Sequence, residues 1–403
     1  MSQVRPLVGP AARGLLLSAV LLYALNLRAP ITALAPVVEP LRDDLGLSAA
    51  GAGLLTGVPV LCFALATPLV SVLLARLGTS LVVAASLVTV LAGTVLRSSG
   101  GATTALVGTV LIGVAITAGN VAVPVVIGRD FPGHVARVTG LYTAALNGGS
   151  VLTTTLTAPL AELVGWRWAL ASWGLLAVAG LAVWLRAYGW RRASRSPGPA
   201  AAADVGPDAR PDVLRRAVTW LLAVSFAGQA FGYYAVSAWL PSVLHDELGL
   251  APTASGGAAA LFQLFGMVGG VAVPLALGRR VPVRVVMVAI SVGWVLLPVG
   301  LLVGPRWWPL WCTLAGVAQG GNFAVIFTVV ATTAGSQSGA RRMSAAIQTF
   351  GYGCAALGPS VLGAVHTASG GWTAPLLVVL GSVLTMSVAA QLALARAGSV
   401  HDR

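Results

Sequence analysis

The chain has 403 residues, of which 57% are hydrophobic and only 9% are charged, and its mean hydropathy is +0.89. A water-soluble protein of this length carries far more charge, so the composition excludes a soluble enzyme and indicates a membrane protein with many spanning helices. The net charge of +13 comes entirely from arginine. Membrane topology explains it better than nucleic-acid binding, because basic residues collect in cytoplasmic loops.

Twelve apolar segments are predicted to be transmembrane helices, since each is long enough to cross a bilayer at about 1.5 Å per residue. They run over residues 14–38, 50–74, 80–97, 103–127, 137–160, 167–187, 218–241, 254–277, 283–303, 307–333, 342–364 and 373–395. The first segment follows Arg5 and Arg13, as in a signal peptide, but it is too long for one and contains Arg28. We therefore expect a retained first helix.

The 24 arginines are distributed asymmetrically when the N-terminus is placed in the cytoplasm. Nineteen then lie on the cytoplasmic side, and Arg28 alone lies within a span. Four lie outside, namely Arg42, Arg97, Arg167 and Arg306. This distribution predicts a multi-pass protein of the cytoplasmic membrane with both termini in the cytoplasm.

The two halves of the chain repeat each other. "LRDDLGLSAAGAG" at 41–53 matches "LHDELGLAPTASG" at 244–256, and "GVAITAGN" at 113–120 resembles "GVAQGGN" at 316–322. Each half contains an even number of segments, so the two halves must have the same orientation in the membrane. A parallel repeat of this kind is typical of transporters built from two six-helix units.

The predicted fold class is therefore an all-α integral membrane protein with twelve transmembrane helices in two six-helix bundles. Residues 1–188 form the N-terminal bundle and residues 217–403 the C-terminal bundle. The stretch 189–216, rich in Pro, Ala and Arg, is predicted to be a flexible cytoplasmic linker.

Arg28 interrupts the first segment, although a charge at the centre of a span costs about 2.5–3.5 kcal/mol on insertion scales. The alternative is that it snorkels to the outer interface, but residues 14–27 are too few to span, and Glu39 marks the outer end. No acidic residue falls at the middle of a predicted span. We predict that Arg28 faces a water-filled cavity and receives an anion, with Pro30 and Pro36 loosening the helix beyond it.

Other polar side chains lie in the middle of the first, fourth, fifth, seventh, eighth, tenth and eleventh segments. The third, sixth, ninth and twelfth segments have almost none, as expected of helices that face lipid. The alternative for each polar residue alone is an interhelical hydrogen bond. The predicted substrate-binding residues are Arg28, Asn26, Asn120, Tyr142, Asn147, Gln229, Tyr233, Gln263, Asn322 and Gln348.

Seven motifs occur in order along both halves. They are "NLRAPIT" (26–32), "GNVAVPVVIGRDFPG" (119–133), "TGLYTAALNGG" (139–149), "GWRWAL" (165–170), "AWLPSVL" (238–244), "FQLFGMVG" (262–269) and "GGWTAPLL" (370–377). Together they resemble the cyanate permease / nitroimidazole transporter (CynX/NimT) branch of the major facilitator superfamily, from about residue 14 to 395. The resemblance implies the twelve-helix, two-bundle fold and secondary transport of small molecules, from a small inorganic anion to drug-like heterocycles.

The resemblance also points to a gating site between the second and third helices. The superfamily usually carries Asp-Arg there, whereas "SVLLARLGTS" at 71–80 keeps Arg76 and has Ala75 in place of the Asp. Arg129 and Asp130, at the end of the fourth helix, are the candidate gating partners. The alternative is a solvated ion pair on the cytoplasmic surface.

The predicted function is secondary transport of a small molecule by alternating access, with a small anion as the favoured cargo. The alternative is an exporter of neutral drug-like heterocycles, and a more remote one is an integral membrane enzyme. The chain has no His-Glu-x-x-His, Gly-x-Ser-x-Gly or Walker motif. We expect no cofactor and no metal. The expected partners are a small-molecule substrate and membrane lipid but no nucleic acid, and the protein is expected to be a monomer.

Overall fold

The computed structural model describes residues 10–131, 134–188, 213–334 and 336–401. These residues form α-helices joined by short turns and 3-10 turns, and no strand occurs among them. Most of the predicted linker lies outside the described residues, and only its last four residues, 213–216, fall within them.

The described N-terminal half contains nine α-helices. They are α1 (Pro10–Leu25), α2 (Ala29–Thr32), α3 (Val38–Leu45), α4 (Ala49–Leu65), α5 (Thr67–Leu77), α6 (Thr79–Ser99), α7 (Ala102–Asp130), α8 (Val135–Ser172) and α9 (Gly174–Tyr188). The described C-terminal half contains seven. They are α10 (Ala217–Leu248), α11 (Pro252–Gly278), α12 (Val283–Val303), α13 (Trp308–Thr333), α14 (Gln337–Ala355), α15 (Gly358–Ser369) and α16 (Thr373–His401).

These helices account for the twelve predicted segments. Among the described residues nine stretches are long and apolar enough to cross a membrane, or ten if α4 and α5, bent by 55°, form one broken span. One stretch, 137–188, covers two crossings, because Gly165 with φ 78° separates two helices inside α8. The eleventh segment is formed by α14 and α15 together. It is missing from these stretches because α14 is too polar to be counted as a membrane-crossing helix. The all-α membrane fold is confirmed.

The first segment is broken on both sides of Arg28, whereas its prolines predict loosening only beyond that residue. The helix α1 ends at Leu25, and the short helix α2 and a 3-10 turn at Ala35–Val37 precede α3. Pro30 occupies the first turn of α2, and Pro36 lies in the 3-10 turn. Proline has no amide hydrogen to continue an α-helix, so both residues interrupt the ladder of backbone hydrogen bonds.

Arg97, which is predicted to lie on the outer side, is buried inside the protein. Its side chain, at the end of α6, is only 1% exposed, and its Nη1 donates to the backbone oxygen of Pro30 at 2.6 Å. The amide of Leu34, the usual helical donor to that oxygen, donates to Ile31 instead. Arg97 therefore satisfies a carbonyl freed by the break, while its Nε and Nη2 are buried without a hydrogen-bond partner among the described residues.

The two halves meet closely at their predicted outer ends. A Cβ added at Gly53 would lie 2.6 Å from the backbone of Pro359, and one added at Gly57 would lie 2.1 Å from the oxygen of Ala356. Gly256 of α11 similarly approaches α8. We call these contacts the outer seam. Glycine permits them because any side chain would separate the backbones.

We predict that Gly57→Val separates the outer seam, because the new side chain has no room against Ala356. Gly257→Val is the matched control, since a Cβ at that position meets nothing within 4 Å. The measurement is the distance between spin labels placed on the exposed positions Asp43 and Ala368. The distance should lengthen in Gly57→Val and stay constant in Gly257→Val. An unchanged distance in both variants would contradict the packing described.

Candidate functional site

A cavity of about 860 Å³ lies between the two halves. Its described lining comes from the break between α1 and α2 and from α2, α4, α5, α7, α8, α10, α11, α13 and α14. No described residue of α6, α9, α12 or α16 lines it. The prediction that the third, sixth, ninth and twelfth segments stay away from the cavity is confirmed for the described residues.

Arg28 lies in the cavity wall at the break in the first segment. Its Nη1 donates to Asn147 Oδ1 of α8 at 3.0 Å and to the hydroxyl of Tyr233 of α10 at 3.0 Å. The Tyr233 ring also covers the guanidinium, with its centre 5.2 Å from Cζ. The two partners belong to opposite halves of the protein, so Arg28 links the halves at the cavity.

The other side of the guanidinium is free. Within the described residues, Nε and Nη2 of Arg28 have no hydrogen-bond partner, and Arg28 forms no ion pair. Arg28 is also the one charged side chain among the described lining residues. The arrangement presents two parallel N–H donors and a full positive charge, which is the geometry that binds an oxyanion in a bidentate manner.

Seven of the ten predicted binding residues line the cavity. They are Arg28, Asn120, Tyr142, Asn147, Gln229, Tyr233 and Gln348. They come from α7, α8, α10 and α14 as well as from the break in the first segment, so distant parts of the sequence converge on one space. Their contact with a substrate stays a prediction.

The remaining three predicted residues do not line the cavity, which corrects their placement in its wall. Asn26 donates to the backbone oxygens of Leu22 and Leu176, at 2.8 and 3.1 Å, and thereby joins α1 to α9. Asn322 is fully buried and donates to Gln229 Oε1 at 3.1 Å. Asn26 and Asn322 therefore stabilise helix packing and the side chains of the wall.

Gln263 also lies behind the wall, next to Tyr233. Its Oε1 accepts a hydrogen bond from the Tyr233 hydroxyl at 3.0 Å, and its Nε2 donates to Ser237 Oγ at 3.0 Å. Because the Tyr233 hydroxyl donates to Gln263, its lone pairs are directed to Arg28. Gln263 thus sets the polarity of the hydroxyl that Arg28 contacts.

An aromatic wall faces part of the cavity, and sequence reasoning missed its three phenylalanines. Its members are Phe63, Tyr352, Phe226 and Phe323, with neighbouring ring centres 5.6, 5.2 and 5.5 Å apart in edge-to-face contacts. Edge-to-face pairs are a favourable arrangement for aromatic rings. A phenylalanine in an apolar span gives no sequence signal that separates a cavity position from a lipid-facing one.

Of the three candidate gating residues, Arg129 and Asp130 contact each other, whereas no contact of Arg76 with either is found among the described residues. Arg129 pairs with its neighbour Asp130, with Nε–Oδ1 at 2.6 Å, and the hydroxyl of Tyr188 in α9 donates to the same carboxylate. The exposed Arg76 forms no ion pair within the described residues. Asp130 therefore joins α7 to α9 here, and a gating role for these residues stays a prediction.

We predict that Tyr233→Phe destabilises the protein, because Arg28 and Gln263 both lose a hydrogen-bond partner. Hydrogen bonds to charged groups contribute roughly 1.5–3 kcal/mol. Tyr234→Phe is the matched control, since no hydrogen bond of its hydroxyl is found among the described residues. Thermal unfolding in detergent should show a lower melting temperature for Tyr233→Phe than for Tyr234→Phe. Equal melting temperatures would contradict this role of Tyr233.

The sequence matches the model of the Major Facilitator Superfamily over residues 16–359. The 2-nitroimidazole transporter of Escherichia coli (strain K12) is 30% identical over 377 residues, which cover 93% of this chain and 94% of that protein. The cyanate transport protein CynX of the same strain is 28% identical over 381 residues, covering 92% and 95%. The uncharacterized transporter YycB of Bacillus subtilis (strain 168) is 28% identical over 380 residues, covering 93% and 92%. These relatives confirm the resemblance to the CynX/NimT branch.

Solved transporter structures share the fold. A mutant of the nucleoside transporter NupG superposes with a TM-score of 0.76 at 13% identity, covering 94% of this chain and 99% of that one. A bacterial homolog of the human lysosomal transporter Spinster, inward-facing and unoccupied, superposes with a TM-score of 0.72 at 17% identity, covering 98% and 99%. These findings identify a membrane transporter rather than an enzyme. The chain belongs to the Major Facilitator Superfamily.

Proposed function

We propose that this protein carries a small anion across the cytoplasmic membrane by alternating access, and that the anion binds to Nε and Nη2 of Arg28. One observation supports this most directly: Arg28 is the one charged side chain among the described residues of the cavity, and one edge of its guanidinium has no partner there. An anion at that edge would satisfy the donors and neutralise the charge.

The surroundings of Arg28 favour a small anion with one or two polar groups over a large anion with several negative charges. Asn147 and Tyr233 hold the guanidinium from one side and leave a single binding edge. The hydroxyl of Tyr142 and the amides of Asn120 and Gln348 supply further neutral donors on the cavity wall. The single positive charge of Arg28 therefore matches a cargo with a single negative charge.

A second candidate cargo is a neutral, drug-like heterocycle. The aromatic wall and the volume of about 860 Å³ could hold a flat ring much larger than a triatomic anion. The names of the relatives refer to both kinds of cargo, since one is called a 2-nitroimidazole transporter and another a cyanate transport protein. Arg28 favours the anion, because a neutral cargo would leave its charge uncompensated.

The remaining proposals concern architecture and orientation. Residues 1–188 and 217–403 form two bundles joined by a cytoplasmic linker at 189–216, and both termini face the cytoplasm. In that orientation the outer seam closes the outside of the protein. The cavity reaches the cytoplasmic halves of the helices through lining residues such as Thr67 and Ala340. We propose a monomer that binds lipid and small substrate but no nucleic acid.

The proposal predicts that small anions raise the melting temperature of the purified protein and that Arg28→Gln abolishes the effect. A ligand that binds the folded state alone stabilises it by about 2.7 kcal/mol at 100 times its Kd. The panel contains cyanate, nitrate, small carboxylates and 2-nitroimidazole, each measured on wild type, Arg28→Gln and Arg28→Lys. Arg28→Lys should retain part of the effect, because it keeps the charge but loses the forked geometry.

Arg76→Gln is the matched control for the loss of one positive charge, because Arg76 is exposed and does not line the cavity. Its response to anions should equal that of wild type. Stabilisation by anions that persists in Arg28→Gln would contradict binding at Arg28. If 2-nitroimidazole is the one compound of the panel that stabilises the protein, and does so equally in wild type and Arg28→Gln, the neutral cargo would be favoured.

A further inference from the structure

We infer that this transporter works by exchange: it changes between its two conformations readily when an anion occupies Arg28 and only slowly when the site is empty. The inference rests on the proposed function and adds to it how transport is driven. Its basis is a charge balance. The described wall of the cavity contains one positive charge and no negative one.

No described carboxylate is placed to neutralise Arg28 when the cargo leaves. The structure describes seven acidic residues, namely Glu39, Asp43, Asp44, Asp130, Glu162, Asp246 and Glu247, and none of them lines the cavity. Several are already engaged elsewhere. Asp44 pairs with Arg167 at 2.7 Å, and Asp130 pairs with Arg129. A proton carried on a cavity carboxylate therefore has no described acceptor.

The neutral partners of Arg28 cannot replace a counter-ion. Asn147 and Tyr233 both accept from Nη1 and leave Nε and Nη2 without partners among the described residues. In the open conformation, water in the cavity can solvate these two donors. Arg97, which is buried at the end of α6, does not line the cavity, and as a cation it cannot supply the missing negative charge.

A change of access must pass through a state in which both ends of the cavity are closed. The outer seam is closed here, so the other end must close before the seam opens. An empty cavity that closes withdraws water from Arg28 and leaves an unpaired charge in a region of low dielectric constant, which is strongly disfavoured. A bound anion removes this penalty. The loaded protein therefore crosses the closed state more easily than the empty one.

The first test is efflux of radiolabelled cyanate from proteoliposomes that contain the full chain. Potassium and valinomycin clamp the membrane potential, and the external buffer contains either cyanate or gluconate. External cyanate should accelerate efflux by about tenfold or more, since each 1.4 kcal/mol of unpaired-charge penalty is a factor of ten. Arg28→Gln should remove this acceleration.

The outcomes separate the two proposals. Cyanate efflux that depends on Arg28 but is equally fast with gluconate outside would overturn exchange and leave the anion site intact. Efflux that does not depend on Arg28 in either buffer, together with no stabilisation by anions, would overturn the proposed function and exchange with it. Efflux that external cyanate accelerates in wild type but not in Arg28→Gln supports both the anion site and exchange.

The second test supplies the missing counter-charge. In Asn147→Asp a carboxylate of the same shape replaces the amide whose oxygen lies 3.0 Å from Arg28 Nη1. The empty variant should then change conformation without an anion. The matched control is Asn147→Ser, which removes the same hydrogen-bond acceptor without adding charge.

Ser360 belongs to the outer seam, because its backbone nitrogen would lie 2.6 Å from a Cβ added at Gly53. The readout is labelling of Ser360→Cys by a membrane-impermeant maleimide, after replacement of Cys62, Cys312 and Cys354. With Asn147 intact, and in Asn147→Ser, cyanate inside the vesicles should accelerate labelling. In Asn147→Asp labelling should be fast without cyanate and unaffected by it. Labelling of Asn147→Asp that stays slow until cyanate is added would overturn the inference.

Discussion

The structure depends on one positive charge held in the wall of the central cavity without a carboxylate partner among the described residues. A buried arginine is usually accompanied by an acidic residue, because an uncompensated charge in a region of low dielectric constant is costly. Arg28 is accompanied instead by a neutral amide, a tyrosine ring and an open cavity. Its solvation comes from whatever fills the cavity. This makes the occupant of the cavity part of the energetics of the protein and connects binding to the change of conformation.

The broken first segment places that charge where both halves can contact it. Arg28 precedes α2, so its side chain emerges where the backbone leaves the regular helix and reaches α8 on one side and α10 on the other. The break exposes backbone groups as well, and Arg97 satisfies one of them at Pro30. A second layer then fixes the wall, with Gln263 behind Tyr233 and Asn322 behind Gln229. The side chains of the wall are therefore held by hydrogen bonds on their protein side, and the site is open on its cargo side.

The sequence predicts what depends on composition and period. The all-α membrane fold, the position of Arg28 at a cavity and the segments that avoid the cavity all follow from where apolar runs begin and where polar residues interrupt them. It fails where the answer depends on which face of a buried helix a residue occupies. Asn26 and Asn322 are polar and mid-span like the wall residues, but they point into helix contacts. The burial of Arg97 could not be foreseen, because the carbonyl that it contacts becomes free only after the first segment breaks. Phenylalanines of the aromatic wall look the same in sequence as those facing lipid.

The most direct test of the account is to locate an anion in the protein. Selenocyanate, an analogue of cyanate whose selenium scatters anomalously, can be diffused into crystals of the wild-type protein, and an anomalous difference map then shows its position. The account predicts a peak in the central cavity with the anion within hydrogen-bond distance of Nε and Nη2 of Arg28, and no peak there in crystals of Arg28→Gln. A map in which selenocyanate binds elsewhere in the protein, with the Arg28 edge unoccupied, would contradict the central claim.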